Sequence, residues 1–197
     1  MAEHASKTSS SVYDALSDLI GLPMNSDSLR GSLEAMFGTG QPEPEIKVYS
    51  DCVYANYYAA GISLLFSPMP GYRPNAASLH HDKLRLESIY LYNKQSEKSN
   101  KNQPFKAFSL FPLSISTPNG VILDIVDSTT GKEMVEALGE PPRKGGGSGP
   151  SSGSIDIWCE WPGLMVEFSQ RGPQAWERGK DAAWKIITIF SRTEPGG

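Results

Sequence analysis

A chain of 197 residues with 18 Lys and Arg against 22 Asp and Glu carries a net charge of −4, so it lacks the basic field that meets a nucleic-acid backbone or an anionic membrane. That length sustains a substantial core, as one large domain or two closely packed halves. Cys52 and Cys159 are its only cysteines, and two reduced thiols, with no apolar run at the start and no window near the roughly 20 apolar residues of a span, point to a cytoplasmic or nuclear protein that is neither secreted nor in the membrane.

Residues 1–10 form a polar Ser/Thr tail. Val12, Leu16, Leu19 and Ile20 then follow a helical spacing that Gly21-Leu22-Pro23 ends. Ser26-Asp27-Ser28 offers caps for a second helix with Leu29, Leu33, Met36 and Phe37 inward, closed by Gly38. Strands are expected at 46–58, 61–67 and 84–92, a polar linker at 94–104, and short strands or extended chain at Phe105–Ile115 and Val121–Val126. Asp127-Ser128-Thr129-Thr130 caps a helix over Gly131–Leu138, stopped by Gly139 and Pro141-Pro142. A flexible Gly/Ser loop covers 145–154, strands follow at 155–161, 164–169 and 184–190, with a loop or short helical turn at 172–179, and residues 193–197 are a tail.

The chain repeats itself once. Gly38 and Gly139, Gly61 and Gly163, Phe66 and Phe168, and Leu91 and Ile189 recur in one order at offsets of 98 to 102 residues. The expected fold is therefore α+β: two related helix-plus-antiparallel-sheet units, 11–93 and 105–192, packed side by side as one globule.

Alternation assigns the faces. With Pro162-Gly163 as a two-residue turn, Trp161 opposes Leu164, Cys159 opposes Val166 and Ile157 opposes Phe168, all toward the core. With Ala60-Gly61 as the other turn, Tyr57, Ala59, Ile62, Leu64 and Phe66 point inward. The opposite face then carries Tyr54, Tyr58, Leu65, Tyr90, Tyr92, Trp158, Glu160, Met165, Glu167 and Phe190. A sheet face that meets only water is polar. This one is covered by the chain's own Phe105–Ile115 or is an aromatic, partly acidic surface for a partner protein.

Motifs for chemistry are sparse. His80-His81 lacks further ligands at metal-binding spacing, and there is no Gly-x-Ser-x-Gly elbow. Cys159 falls among core residues, and Glu160 with Glu167 reads as surface charge rather than an acid–base pair. The run Arg143–Gly149 lacks the Gly-Lys-Ser/Thr ending of a phosphate loop. No catalytic residue, metal or cofactor is assigned.

A helix ending in Leu-Gly or Phe-Gly, then strands bearing Tyr or Trp, then Gly61-Ile62-Ser63-Leu64-Leu65-Phe66 or Gly163-Leu164-Met165-Val166-Glu167-Phe168, resembles the units of the β-lactamase inhibitor proteins and of the small outer-membrane assembly lipoproteins. The resemblance implies a tandem architecture whose curved sheet grips a protein through an aromatic face. It covers about half the chain and lacks the signal peptide and the disulfide within each unit. The expected function is that of an intracellular protein-interaction module. The alternative is a small-molecule-binding protein or enzyme with a pocket between the units, reached past His80 and His81.

Overall fold

The structure, a computed structural model, describes residues 11–40, 42–94, 105–117, 119–147 and 155–192. Both expected tails, nearly all of the 94–104 linker and residues 148–154 of the Gly/Ser loop lie outside the described residues.

The helices start where side chains can cap them. Ser11 Oγ accepts the Asp14 N–H at 3.1 Å to open α1 (Val12–Ser17), and Ser26 Oγ accepts the Leu29 N–H at 3.3 Å to open α2 (Asp27–Phe37). At α3 (Gly131–Leu138) the capping is reciprocal: Thr130 Oγ1 accepts from the Glu133 N–H, and the Glu133 carboxylate accepts the Thr130 N–H at 2.7 Å. Two of them end alike, at Gly38 (φ 87, ψ 156) and Gly139 (φ 82, ψ 178).

The remaining elements are β1 (Glu45–Val48), β2 (Val53–Tyr57), β3 (Ile62–Pro68), β4 (Leu84–Tyr92), β5 (Leu113–Ser116), β6 (Ile122–Ile125), β7 (Arg143–Gly145), β8 (Ile157–Trp161), β9 (Leu164–Phe168), α4 (Ala175–Gly179) and β10 (Trp184–Phe190). The protein is α+β, with one eight-stranded antiparallel sheet in the order β1-β2-β3-β4-β10-β9-β8-β7 and a separate β5–β6 hairpin. Its two halves join through β4 and β10, which pair Ile89 with Ile189. Among the described residues no helix is long and apolar enough to cross a membrane.

Three expectations need correction. Residues 46–58 are two strands, because Ser50-Asp51 turns the chain and the Tyr49 N–H donates to the Cys52 carbonyl at 2.9 Å. Gly145 is the last residue of β7, opposite Trp158, so the loop expected at 145–154 starts later. Ala59 is exposed, not inward, since β2 and β3 pair Tyr57 with Ile62 around a four-residue connection. That register lies two residues from the expected one, and a shift of two restores every other side chain to its face.

The second hairpin pairs Trp161 with Leu164, Cys159 with Val166 and Ile157 with Phe168, as alternation requires. Alternation then fails at two bulges. In β4, Phe66 pairs with Leu86 while Leu65 pairs with Ser88; in β10, Phe168 pairs with Trp184 while Glu167 pairs with Ile186. The extra residue lets Leu86 and Trp184 turn into the core although Ser88 and Ile186, two positions on, lie on the opposite face beside Leu65 and Glu167.

One face of the sheet carries the core. Ile62, Leu64, Ile89, Val166, Ile187 and Ile189 are at most 1% exposed. Against that face a chain of ring contacts runs from Phe37 of α2 through Phe108 and Phe111 to Trp184. A Cβ on Gly131 of α3 would come 3.2 Å from the Phe168 ring, and Gly179 of α4 lies against Ile157.

Candidate outer-face binding surface

Each of the ten candidate residues belongs to the face opposite the core, arranged in rows by the pairing. One row reads Lys47, Tyr54, Leu65, Ser88, Phe190; the next Glu45, Asn56, Ser63, Tyr90, Thr188, Met165, Glu160, Arg143; the third Tyr92, Ile186, Glu167, Trp158, Gly145. Tyr58 follows β2 at one end of this face. The structure therefore groups the candidates by face but not into one compact site. Seven inter-strand gaps of about 4.8 Å spread the longest row over about 34 Å.

Among the described residues, the chain covers one end of this surface. After the linker, Phe105 lies on the outer face, stacked on Tyr92 at 3.9 Å and edge-on to Tyr58 at 4.6 Å. The Lys106 N–H donates to the Tyr58 carbonyl at 2.9 Å and the Phe108 N–H to the Tyr92 carbonyl at 2.8 Å, which carries the segment around the end of the sheet to bury Phe108 in the core. Gly61, at φ 69, makes that crossing possible, because a Cβ there would sit 2.5 Å from Lys106 O and Phe108 N. Strand structure within Phe105–Ile115 is confined to its end, in β5.

Beside Phe105, an open groove of about 470 Å³ is lined by Lys47, Tyr49, Cys52, Tyr54, Asn56 and Tyr92, among others. Tyr49 meets Tyr54 edge-on at 5.9 Å, and Tyr54 meets Tyr90 at 6.3 Å. Burial pushes the hydroxyls of Tyr54 and Tyr92 up to about 12, helped by their tyrosine neighbours, so both are protonated donors at neutral pH. Beneath the rings lie buried polar groups: the Ser63 hydroxyl donates to Asn56 Oδ1 at 2.6 Å, while Thr188 Oγ1 has no partner among the described residues.

In the second half the acids divide. Glu160 is bound by Arg143 at 2.6 Å. Glu167 has no ion pair or hydrogen bond to its carboxylate among the described residues, and burial, with Asp156 nearby, raises its pKa against the opposing pull of Lys185. Trp158 is half-buried, its indole lying over Gly145, where a Cβ would meet the ring at 2.7 Å. Glycine at 145 is therefore what lets the indole lie flat over the edge strand.

Sequence reasoning missed Tyr49, Lys47 and Arg143 as members of this surface. The Ser50-Asp51 turn was the signal for the first two, since a hairpin there puts Lys47 opposite Tyr54. Cys52 and Cys159 are both free, the first half-buried at the groove and the second in the core. His80 precedes and His81 opens a 3-10 turn, both are exposed, and neither lines the groove. Among the described residues no three of His, Cys, Asp and Glu converge as a metal site would require. Compared with protein-family models, with curated proteins and with solved structures, the chain matches none.

Proposed function

We propose that this protein is an interaction module, built from two related helix-plus-sheet units, that holds a partner protein across the outer face of its sheet. The observation that carries the reading is the set of aromatic and aliphatic side chains on that face, from Tyr54 on β2 to Trp158 on β8 across five inter-strand gaps or about 24 Å, over which, among the described residues, Phe105 stacks at one end. Such a span suits a protein interface of roughly 800 Å² per side and exceeds the reach of a small molecule. The composition agrees: Tyr, Trp, Phe and Met are enriched at interface centres, with acids near the rim.

The relation between the units is supported by irregular features as well as regular ones. The paired glycine caps, the order of strands from edge to centre in each half and the matching bulges opposite Phe66 and Phe168 recur together. A bulge is a local feature of one strand pair, so its recurrence at corresponding pairs argues for one ancestral unit used twice.

The experiment is capture of a partner by the full chain and by a Tyr90→Ala/Trp158→Ala variant, with Glu34→Lys on an exposed position of α2 as control. A partner bound by the parent and control but lost by the double variant supports the reading. Equal capture by all three overturns it.

A further inference from the structure

We propose that the second half of the chain binds an amphiphilic carboxylate, an apolar tail or ring of about eight non-hydrogen atoms with one acidic head. The site is a pocket of about 260 Å³ between α3 and α4, on the core side of the sheet and separate from the outer face. Ile157, Cys159 and Phe168 form its floor, and Val135, Pro141 and Trp176 its walls. At about 30 Å³ per small group, the share of a water in the liquid, that volume sets the size of the tail.

The backbone builds this space deliberately. The Lys132 N–H donates to the Lys180 carbonyl at 2.8 Å, tying the start of α3 to the end of α4. Gly131 allows the approach, since a Cβ there would stand 2.8 Å from the Gly179 carbonyl oxygen. The two helices thus meet at this point, and Val135 of α3 and Trp176 of α4 both line the pocket with its apolar floor. The Cys159 thiol, pushed up to about 11 by burial, is neutral at physiological pH and leaves that floor without charge.

Charge at the mouth selects the head group. Lys132 pairs with Glu136 at 3.7 Å, and Lys144 pairs with Glu140 while also lying over the Trp176 ring. Lys180 lines the same mouth with no acidic partner among the described residues. One uncompensated ammonium beside an apolar pocket favours a ligand whose hydrocarbon enters the pocket and whose carboxylate stays at the rim. A neutral hydrocarbon leaves Lys180 unused, and a cationic amphiphile is repelled.

Calorimetric titration of octanoate into the full chain tests this directly. Saturable one-to-one binding is expected, with octanol, the same tail without the charge, about tenfold weaker. Lys180→Glu, at an exposed position, is expected to weaken octanoate by about tenfold or more. Val135→Trp should abolish binding by filling the pocket, with a thermal melt to show that the variant folds. If Val135→Trp unfolds the chain, Lys180→Glu and the octanol comparison decide. Absence of saturable octanoate binding, octanol binding as tightly as octanoate, or full octanoate affinity in Lys180→Glu or in a folded Val135→Trp variant overturns the proposal.

Discussion

The indole N–H of Trp161 donates to the carbonyl oxygen of Gly139 at 3.0 Å, so the turn end of the second hairpin holds the C-terminus of the helix that precedes it. Trp161 is only 6% exposed, whereas Trp158, three residues earlier on the other face, is half-buried. Trp161→Ala removes a packed ring and a side-chain bond to that cap, and is expected to cost about 3–5 kcal/mol in urea or thermal unfolding. Trp158→Ala is expected to cost markedly less stability and to weaken a partner by about 2 kcal/mol or more. A reversal of that contrast would mean that the outer face is the load the core depends on.

Gly38 and Gly139 make a matched pair of tests. Both hold a positive φ with an extended ψ, a conformation essentially restricted to glycine, and a Cβ at either would meet nothing within 4 Å. Gly38→Ala and Gly139→Ala are therefore expected to cost about the same, roughly 1–3 kcal/mol each, from backbone strain alone. Unequal losses in thermal melts would argue that the two caps are not equivalent parts of related units.

Much of the fold was legible because local rules and tertiary packing agree here. Caps at Ser26 and Thr130, glycine stops at 38 and 139, and strict alternation in Ile157–Trp161 each identify an element without outside help. The bulges in β4 and β10 were not legible, since Leu86 and Trp184 turn inward only through pairing with Phe66 and Phe168, distant in sequence. β7 was hidden for a similar reason: Arg143-Lys144-Gly145 has little intrinsic strand preference and is held by pairing with β8. Alternation placed its candidates on the face where the strand pairing puts them, but it could not reveal that Phe105 caps Tyr92 or that Arg143 neutralises Glu160.

Gly61 is where one atom decides how the Phe105–Phe108 segment reaches the core. Alanine there would add the left-handed penalty of about 1–2 kcal/mol and drive Cβ against Lys106 O and Phe108 N, both backbone atoms that yield only if the whole segment moves. Gly61→Ala is expected to lose more stability than that penalty alone and to lift Phe105 from Tyr92. Near-ultraviolet circular dichroism of the aromatic stack checks the second effect, and an unchanged spectrum at full stability would refute the crossing.

Asp156 and Glu167, both near the second bulge, are expected to show opposite pH signatures. Burial pushes the Asp156 carboxyl up, but hydrogen bonds from Arg171 and from Lys185 at 2.6 Å outweigh it and hold the pKa below the ordinary 3.8. A depressed native pKa gives stability that is present above 3.8 and is lost as pH falls through the native value. Asp156→Asn should therefore lower Tm at pH 7, with the difference from the parent shrinking in acid. For Glu167, burial raises the pKa above the ordinary 4.5, so the native state favours the protonated form. Its contribution is full below 4.5 and is lost as pH rises through the higher native value. Glu167→Gln, which is neutral throughout, should then raise Tm at pH 7 and match the parent at pH 3. Melts of the two variants across that range give curves that diverge from the parent in opposite directions as pH rises. If Glu167→Gln instead lowers Tm at pH 7, its carboxylate is stabilised by a cation in the folded chain, and the outer face does not offer an unpaired acid to a partner.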